Sequence, residues 1–228
     1  MRNEPAGYVS WDLDGVLWDS DLAHYLAVNE ALEPYGERIT EEEHLSTFKG
    51  LPTLRKCEML TQMGRIPLTA HQDIARRKQQ ATLRAIERTV KPRPEVDTLL
   101  LGLRECGWRQ CCCSNSIRET VQRVLLGMDI SHYFDFYLSN EDVKKGKPAP
   151  EMFLKAASLY HINPIQLVAI EDADAGRRAV LNAGCQLIAI DGPQDVEPNL
   201  IHRILAAGRG IEKMTQFDLL PCACMEAA

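Results

Sequence analysis

The stretch YVSWDLDG, residues 8–15, decides the fold of this chain and locates its chemistry. The run from Tyr8 to Asp12 predicts a short strand that ends in a polar turn. Asp12 and Asp14 stand two positions apart at the strand end, so their carboxylates point the same way if the strand continues. Gly15 then lets the chain turn sharply. A solvent-facing Asp-Gly turn explains this glycine equally well, so the function of the motif depends on what accompanies it.

Further strands of the same kind alternate with helices along the chain. The predicted strands are Tyr8–Asp12, Gln110–Ser114, Phe134–Ser139, Leu167–Asp172 and Gln186–Asp191. Helices are predicted over Pro94–Arg104, Ile117–Leu126, Glu151–Tyr160 and Ala175–Ala183. Strands that alternate with helices of about ten residues are typical of βαβ units. The predicted fold class is therefore α/β, a doubly wound parallel sheet with helices on both faces.

The interval from about residue 20 to residue 90 interrupts this alternation, because it contains no convincing strand. Helices are predicted there over Asp21–Leu32, Thr53–Gln62 and Thr69–Glu87. We therefore expect an inserted helical cap over residues 19–90 and a core formed by residues 1–18 and 91–228. The length of 228 residues suits one domain with a smaller insertion.

The charge balance restricts the partners of the protein. The chain has 26 Lys and Arg residues against 32 Asp and Glu residues, a net charge of −6. This balance disfavours nucleic acid and membrane partners, since anionic surfaces bind basic ones, but it is compatible with a small phosphate ester. The chain shows no signal pattern and no long apolar run, so a cytoplasmic location is expected. The consecutive Cys111–Cys113 predict a buried strand rather than a metal site.

Three later motifs also lie where predicted strands end or turn. They are Ser114-Asn115-Ser116, the loop KKGKPAP that carries Lys147, and Glu171-Asp172 followed by Gly176. In a doubly wound sheet, ligands bind at the carboxyl ends of the strands. Acidic pairs, a hydroxyl and a lysine in one crevice are suited to hold a divalent cation and a phosphoryl group together.

The ordered quartet DLDG, SNS, KPAP and EDADAG, with a helical insertion after the first motif, resembles the haloacid dehalogenase superfamily. Within it, the chain is similar to the capped phosphatase and β-phosphoglucomutase branch from Tyr8 to about Ala207. The resemblance implies a Rossmann-like core with an inserted helical cap domain, and it implies Mg²⁺ as the cofactor. The dehalogenases that name the superfamily lack a carboxylate at the place of Asp14, so carbon–halogen hydrolysis is disfavoured.

The resemblance also implies roles for the motif residues. Asp12 would be the nucleophile that forms an aspartyl-phosphate, and Asp14 the general acid and then the base. Ser114 would bind phosphoryl oxygens, and Lys147 would offset the negative charge. The implied Mg²⁺ ligands are Asp12, the carbonyl of Asp14, Glu171 and Asp172. Taken singly, an N-cap role for Ser114 and a solvated loop for Lys147 are favoured, but the ordered quartet of motifs reverses that preference.

Substrate contacts are expected from the cap and from the rim of the sheet. The residues assigned to substrate binding are His24, Thr53, Lys78, Asn115 and Arg118. Helix-surface positions explain His24, Lys78 and Arg118 as well. In the mutases, an arginine that grips a phosphate stands where this chain has Thr53, and that departure weakens the mutase interpretation.

The sequence favours a Mg²⁺-dependent phosphatase that hydrolyses a small phosphomonoester, most plausibly a sugar phosphate, because a closing cap excludes polymers and bulk water. The alternative is a β-phosphoglucomutase-like isomerase that returns the phosphoryl group to the sugar. A third hypothesis, a non-catalytic metabolite-binding relative, fits poorly because Asp12, Asp14 and Lys147 are all present. The partner is a small phosphorylated metabolite, and a monomer or a homodimer is expected.

Overall fold

The computed structural model describes residues 4–208 and contains one parallel sheet within that part of the chain. Its strands are β1 (Gly7–Trp11), β2 (Trp108–Cys113), β3 (Phe136–Leu138), β4 (Leu167–Glu171) and β5 (Gln186–Ala189). They are ordered β3-β2-β1-β4-β5, so the first strand is central. Strands buried on both faces lack the alternation of half-exposed strands, as the fully buried run Cys111–Cys113 illustrates.

Helices separate and follow these strands. They are α1 (Asp21–Leu32), α2 (Glu41–Glu43), α3 (Thr53–Gln62), α4 (His71–Thr89), α5 (Pro94–Glu105), α6 (Arg118–Gly127), α7 (Glu151–Tyr160), α8 (Asp174–Ala183) and α9 (Leu200–Gly208). Helix α2 continues as a π-helical turn, His44–Phe48. Successive side chains of a strand point to opposite faces, so Cys112 packs with α5, α6 and α9, whereas Cys111 and Cys113 pack with α7 and α8.

The helices α1 to α4 lie between β1 and α5 and share an apolar cluster of their own. Its largest fully buried members are Leu32, Ile39, Phe48, Leu60 and Ile74. Burial of each such side chain stabilises the folded segment by roughly 1.5–3 kcal/mol. Because these residues form a cluster separate from those on the two faces of the sheet, the segment has an apolar core of its own. The cluster supports the proposed division into a cap over residues 19–90 and a core.

The predicted fold class is confirmed, since the sheet is parallel and carries helices on both faces. The predicted strand Phe134–Ser139 is shorter in the structure, because β3 lies at the sheet edge and pairs only with Cys111–Cys113 of β2. Helix α2 with its π-helical turn and helix α9 were not predicted from the sequence. The prediction that residues 91–228 form the core extends to residues 209–228, which lie outside the described residues. Across residues 4–208, the structure has no helix of sufficient length and apolarity to span a bilayer.

The strand order brings the predicted motifs together at one edge of the sheet. Strand β1 pairs with β2 on one side and with β4 on the other, so Trp11 is level with both Cys112 and Ile170. The next residue, Asp12, donates its backbone N–H to the Ile170 carbonyl at 3.1 Å. Asp12 therefore lies between the ends of β2 and β4, where Ser114 begins the loop after β2 and Glu171 is the last residue of β4.

Candidate active site

Asp12 and Glu171 share one buried ammonium group. The Nζ atom of Lys147 donates to Asp12 Oδ1 at 2.8 Å and to Glu171 Oε1 at 2.7 Å, and its third bond goes to the Cys113 carbonyl at 2.7 Å. All three donors of the ammonium group are thus used. Lys147 is only 5% exposed, so the charge of the ammonium acts at short range and with little solvent screening.

Burial and charge perturb the pKa values of these groups. Burial raises the pKa of Asp12 to about 6, and Asp14 adds to that rise while Lys147 opposes it. Burial together with the Asp12 charge holds the pKa of Glu171 well above its usual range. Burial alone would lower the pKa of Lys147, but Asp12 and Glu171 raise it above its ordinary value. Lys147 therefore stays charged and compensates part of the negative charge in the cluster.

The carboxylates of Asp12, Glu171 and Asp172 form a cluster suited to a divalent cation. One oxygen from each lies within 4.8 Å of the others. Glu171 Oε2 and Asp172 Oδ1 are buried and make no hydrogen bond within the described residues. A buried carboxylate oxygen without a partner is costly, and hard oxygen ligands are those that Mg²⁺ prefers. The donor set therefore fits this metal.

Two glycines leave room for the cluster. A Cβ atom at Gly176 would lie 1.8 Å from Glu171 Oε2, and a Cβ atom at Gly15 would lie 2.2 Å from Asp172 Oδ2. Gly15 also has a φ of 79°, a backbone conformation that other residues rarely adopt. Both positions therefore require glycine if the carboxylates are to keep their places.

The Asp14 carboxylate is hydrogen-bonded to three side chains and does not belong to the cluster of Asp12, Glu171 and Asp172. His24 Nε2 lies 2.7 Å from Asp14 Oδ1, and the hydroxyls of Ser116 and Ser114 donate to Oδ2 at 2.7 and 3.2 Å. Burial alone would raise the pKa of Asp14, but the contact with His24 and the hydrogen bond from Ser116 hold it well below its usual range. The Asp14 side chain is therefore ionised and outside the carboxylate cluster, which leaves its backbone carbonyl for a metal.

Lys78 completes a chain of polar groups that runs from the cap to Asp14. Its Nζ atom lies 3.1 Å from His24 Nδ1. An ammonium group can only donate, so Nδ1 accepts and the imidazole carries its proton on Nε2, where it donates to Asp14. Burial and then the charge of Lys78 lower the pKa of His24, which keeps the ring neutral. The chain Lys78–His24–Asp14 therefore links a cap helix to the end of β1.

Asn115 holds the loop that carries Lys147. Its amide donates to the Lys147 carbonyl at 3.0 Å, and its side-chain oxygen accepts from the Lys147 backbone N–H at 2.8 Å. A Cβ atom at Gly146 would lie 2.6 Å from Asn115 Oδ1, so this glycine permits the close approach. Asn115 thus positions Lys147, although it also lines the cavity.

A cavity of about 130 Å³ lies between the residues at the strand ends and the helices of the insertion. We call the first group, Asp12, Asp14, Lys147, Glu171 and Asp172, the floor of the cavity. The cavity lining includes most of the residues predicted for the site: Asp12, Asp14, His24, Thr53, Lys78, Asn115, Lys147, Glu171 and Asp172. Ser114 is fully buried beneath the floor, where its hydroxyl accepts from the Ser116 N–H at 2.9 Å. The structure does not bring Arg118 to the cavity, because its guanidinium bonds to Asp142 at 2.8 Å on the half-exposed start of α6.

The cavity residues that were absent from the predicted set include His44, Lys49, Lys56 and Ser116. Ser116 stands in the SNS motif, but the sequence does not say which hydroxyl faces the cavity. Lys49 pairs with Asp21 at 2.7 Å and approaches Asp172 at 3.4 Å, so it connects the insertion with the floor. Lys56 had a usable signal, since it falls on the apolar face of α3 with Cys57 and Leu60.

Comparison with known proteins gives consistent results. A family model described as "Haloacid dehalogenase-like hydrolase" matches residues 9–190. The fructose-1-phosphate phosphatase YqaB of Escherichia coli is 29% identical over 191 residues, which cover 83% of this chain and 98% of the relative. A phosphorylated carbohydrates phosphatase of Thermotoga maritima is 26% identical over 180 residues, or 79% of this chain and 82% of the relative.

A solved structure of similar fold is the β-phosphoglucomutase of Clostridium difficile. Its TM-score is 0.74 at 22% identity, and the match covers 89% of this chain and 98% of that one. At this identity the likeness concerns the fold alone.

Proposed function

This chain belongs to the haloacid dehalogenase-like hydrolase family, and from that premise we propose that it is a Mg²⁺-dependent phosphatase of a small phosphomonoester, most plausibly a sugar phosphate. It is a phosphoric monoester hydrolase by its family and relatives. The observation that carries the proposal is the shared contact of Lys147 with Asp12 and Glu171 beside two unpartnered carboxylate oxygens. That arrangement suits a nucleophile, a metal and a dianionic phosphoryl group in one place.

Asp12 is the nucleophile in this proposal. Its Oδ1 atom accepts a hydrogen bond from Lys147. Its Oδ2 atom makes no hydrogen bond with any of residues 4–208. Attack on phosphorus would form an aspartyl-phosphate and expel an alcohol. Lys147 would offset the charge of the nucleophile and of the phosphoryl oxygens, as fixed cations do for a transferring phosphoryl group.

Asp12, Glu171, Asp172 and the Asp14 carbonyl would hold Mg²⁺. When bound, the metal supplies positive charge that screens the nucleophile from the phosphoryl oxygens. The pKa values of Glu171 and Asp172 are raised by burial, and repulsion from nearby carboxylates raises them further. Metal binding to the ionised forms would remove these costs, so affinity for the metal should fall at acid pH.

Asp14 is the proton-transfer group of the proposal. Its carboxylate is ionised in the ligand-free state, so it needs a proton before it can protonate the leaving alcohol. The chain through His24 to Lys78 provides donors at 2.7 and 3.1 Å along which that proton can be supplied. In the second step the carboxylate would take a proton from the water that attacks the aspartyl-phosphate.

The preference for a sugar phosphate rests on the cap and on the relatives. Lys78, Gln79 and Thr53 present polar groups to the cavity from the insertion, as hydroxyl-rich substrates require. The relatives from E. coli and T. maritima are named for fructose 1-phosphate and phosphorylated carbohydrates.

The test is release of phosphate from p-nitrophenyl phosphate with and without Mg²⁺. The native protein should hydrolyse the ester only with the metal, and Asp12→Asn should abolish turnover. Asp19→Asn is the matched control, because Asp19 is an exposed carboxylate on the same segment. Turnover by Asp12→Asn at the native rate would show that Asp12 is not the nucleophile.

The alternative is a β-phosphoglucomutase-like isomerase, which a relative of that name supports: the β-phosphoglucomutase of Bacillus subtilis is 26% identical over 192 residues, or 80% of this chain and 82% of the relative. It would use the same Asp12 but return the phosphoryl group to the sugar. Incubation with β-glucose 1-phosphate and a trace of glucose 1,6-bisphosphate separates the two activities. Free phosphate supports the phosphatase, whereas glucose 6-phosphate without phosphate release supports the mutase.

A further inference from the structure

Lys56 is a buried cation without a partner. It is 6% exposed and lines the cavity from helix α3. Its ammonium makes no hydrogen bond or ion pair with any residue of the described range 4–208. The other lysines of the cavity are all engaged: Lys147 with Asp12 and Glu171, Lys49 with Asp21 and Asp172, and Lys78 with His24.

A buried ammonium without a partner is costly, because water no longer solvates its charge. Burial and the nearby Lys78 lower the pKa of Lys56 to about 8. Buried charges in proteins are normally paired or bound to a ligand. The position of Lys56 on a cavity wall, and not inside an apolar core, indicates that the missing partner enters the cavity.

His44 offers a second unpartnered group to the same cavity. It is 2% exposed, and its Nδ1 atom makes no hydrogen bond within the described residues. Burial, together with the charge of Lys56, lowers the pKa of His44 to about 4. The imidazole is therefore neutral near pH 7 and can present an N–H donor to an oxygen atom.

The start of α3 adds further donors. Gly50, Leu51, Pro52 and Thr53 line the cavity at this point. Thr53 is the first residue of the helix, and the preceding Pro52 supplies no side-chain cap. The first backbone N–H groups of an α-helix have no partner inside the helix and attract anions. Lys56, His44 and this helix start therefore combine a charge with neutral donors on one wall.

The charges of this wall do not cancel. Asp21 is the one carboxylate that the described insertion contributes to the cavity, and Lys49 pairs with it at 2.7 Å. The nearby Asp14 belongs to the floor and is already bound by His24, Ser114 and Ser116. The amines of Lys56 and Lys78 therefore face the cavity with no carboxylate at ion-pair distance.

We propose that Lys56, with His44 and the start of α3, binds a second anionic group of the substrate. The inference rests on the proposed phosphatase function and narrows its substrate class. The preferred substrate is a phosphomonoester that carries a carboxylate or a second phosphate away from the scissile group. The scissile phosphoryl group itself must lie in line with Asp12 on the floor, so it does not occupy the wall that Lys56 lines.

Substrates that differ only in the second anion test the proposal. 6-Phosphogluconate and sorbitol 6-phosphate differ by a carboxylate in place of a hydroxymethyl group. Fructose 1,6-bisphosphate and fructose 1-phosphate differ by a second phosphate. We expect the native enzyme to favour the member with the second anionic group in at least one pair by about 10- to 100-fold in kcat/KM, mainly through KM, the size typical of a hydrogen bond to a charged group. The pair that shows the preference identifies the anion.

Variants show whether Lys56 causes the preference for a second anionic group. Lys56→Met should bring the ratio within the responsive pair close to one by lowering kcat/KM for the member with the second anionic group, whereas Lys56→Arg should retain most of the preference. The matched control is Arg55→Met, which removes a charge from the exposed side of the same helix, where Arg55 pairs with Glu58. A native ratio near one in both pairs, or an equal loss for both members in Lys56→Met, would overturn the proposal.

A binding measurement separates this proposal from the phosphatase function. Calorimetric titration of Asp12→Asn with the same four compounds should show the same preference without turnover, and Lys56→Met in that background should remove it. A preference in binding with no phosphate release from any native sample would overturn the phosphatase and keep the anion site. Hydrolysis of the four compounds with no preference in binding for a second anionic group would overturn the anion site and keep the phosphatase.

Discussion

Lys147 Nζ lies 2.8 Å from Asp12 Oδ1, at the centre of a site that is almost closed to solvent. The same ammonium reaches Glu171, so one cation joins the ends of β1 and β4. Burial raises the pKa of both carboxyl groups, and the Asp12 charge raises that of Glu171 further. The lysine therefore has a structural role in the ligand-free protein as well as the catalytic role proposed for it.

Replacement of Lys147 by Met should destabilise the protein strongly. Loss of one partner of a buried ion pair leaves uncompensated charge, which costs about 3–5 kcal/mol. The free energy of unfolding should be measured in urea without Mg²⁺. Lys145→Met is the control, since Lys145 is exposed in the same loop, and it should change stability by less than about 0.5 kcal/mol. A similar small change for both variants would contradict the prediction.

Gly176→Ala should weaken metal binding. The new Cβ atom would displace the Glu171 carboxylate, because it would lie 1.8 Å from Oε2. We expect the Mg²⁺ concentration for half-maximal activity, and for half of the metal-induced rise in Tm, to increase by about 10-fold or more. Gly102→Ala is a matched helical control whose Cβ meets only the Ile201 Cδ1 atom at 3.2 Å. Equal metal affinities in the two variants would refute the assignment of Glu171 as a ligand.

His44 should make the protein sensitive to mild acid. Its pKa is about 4 in the folded protein, whereas an ordinary histidine titrates near 6.5. The unfolded chain therefore takes up a proton first, and stability should fall as the pH drops from about 6.5 to about 4. The loss is on the order of 3 kcal/mol. His44→Phe, which keeps a ring against Tyr25, should show a shallower decline in urea midpoints between pH 7 and pH 4.5; an unchanged decline would contradict the prediction.

Lys56→Met should stabilise the ligand-free protein at pH 7. The native lysine is charged there and has no partner, so an apolar side chain of similar length should raise stability by about 1–3 kcal/mol. The pKa of Lys56 is about 8 in the folded state, so native stability should rise between about pH 8 and pH 10.5 and the variant should lack that rise. Thermal melts in buffers free of phosphate and carboxylates measure both effects. A lower Tm for the variant at pH 7 would count against an unpaired buried charge.

The sequence sufficed for the fold class because its signals are local. Alternation of short apolar runs with helical periods predicted a parallel sheet, and Asp12, Ser114, Lys147 and Glu171 follow or accompany those runs. The carboxyl ends of parallel strands meet at one edge, so the co-location of these residues followed without knowledge of the strand order. The order β3-β2-β1-β4-β5 depends on contacts between distant segments and was not predicted.

Side-chain direction in the loops was beyond the sequence. Ser114 and Ser116 have the same chemistry, and only the turn after β2 decides that Ser116 lines the cavity while Ser114 lies beneath it. Arg118 was expected near the substrate, but its guanidinium forms an ion pair with Asp142 in the loop after β3. Lys56 was not predicted because a lysine on a helix is normally solvated, although its place on the apolar face of α3 was a signal. For Arg118, the deciding neighbour is remote in the chain.

The three cysteines of β2 provide a way to measure local unfolding of this strand. Cys111, Cys112 and Cys113 are 0% exposed and end where the Ser114 loop begins. Burial holds the pKa of the Cys111 and Cys112 thiols well above the usual range, and thiols react mainly as thiolates. Alkylation at these positions must therefore wait for local unfolding. Peptide-resolved labelling rates, with and without Mg²⁺, would report the free energy of opening of a strand that borders the nucleophile.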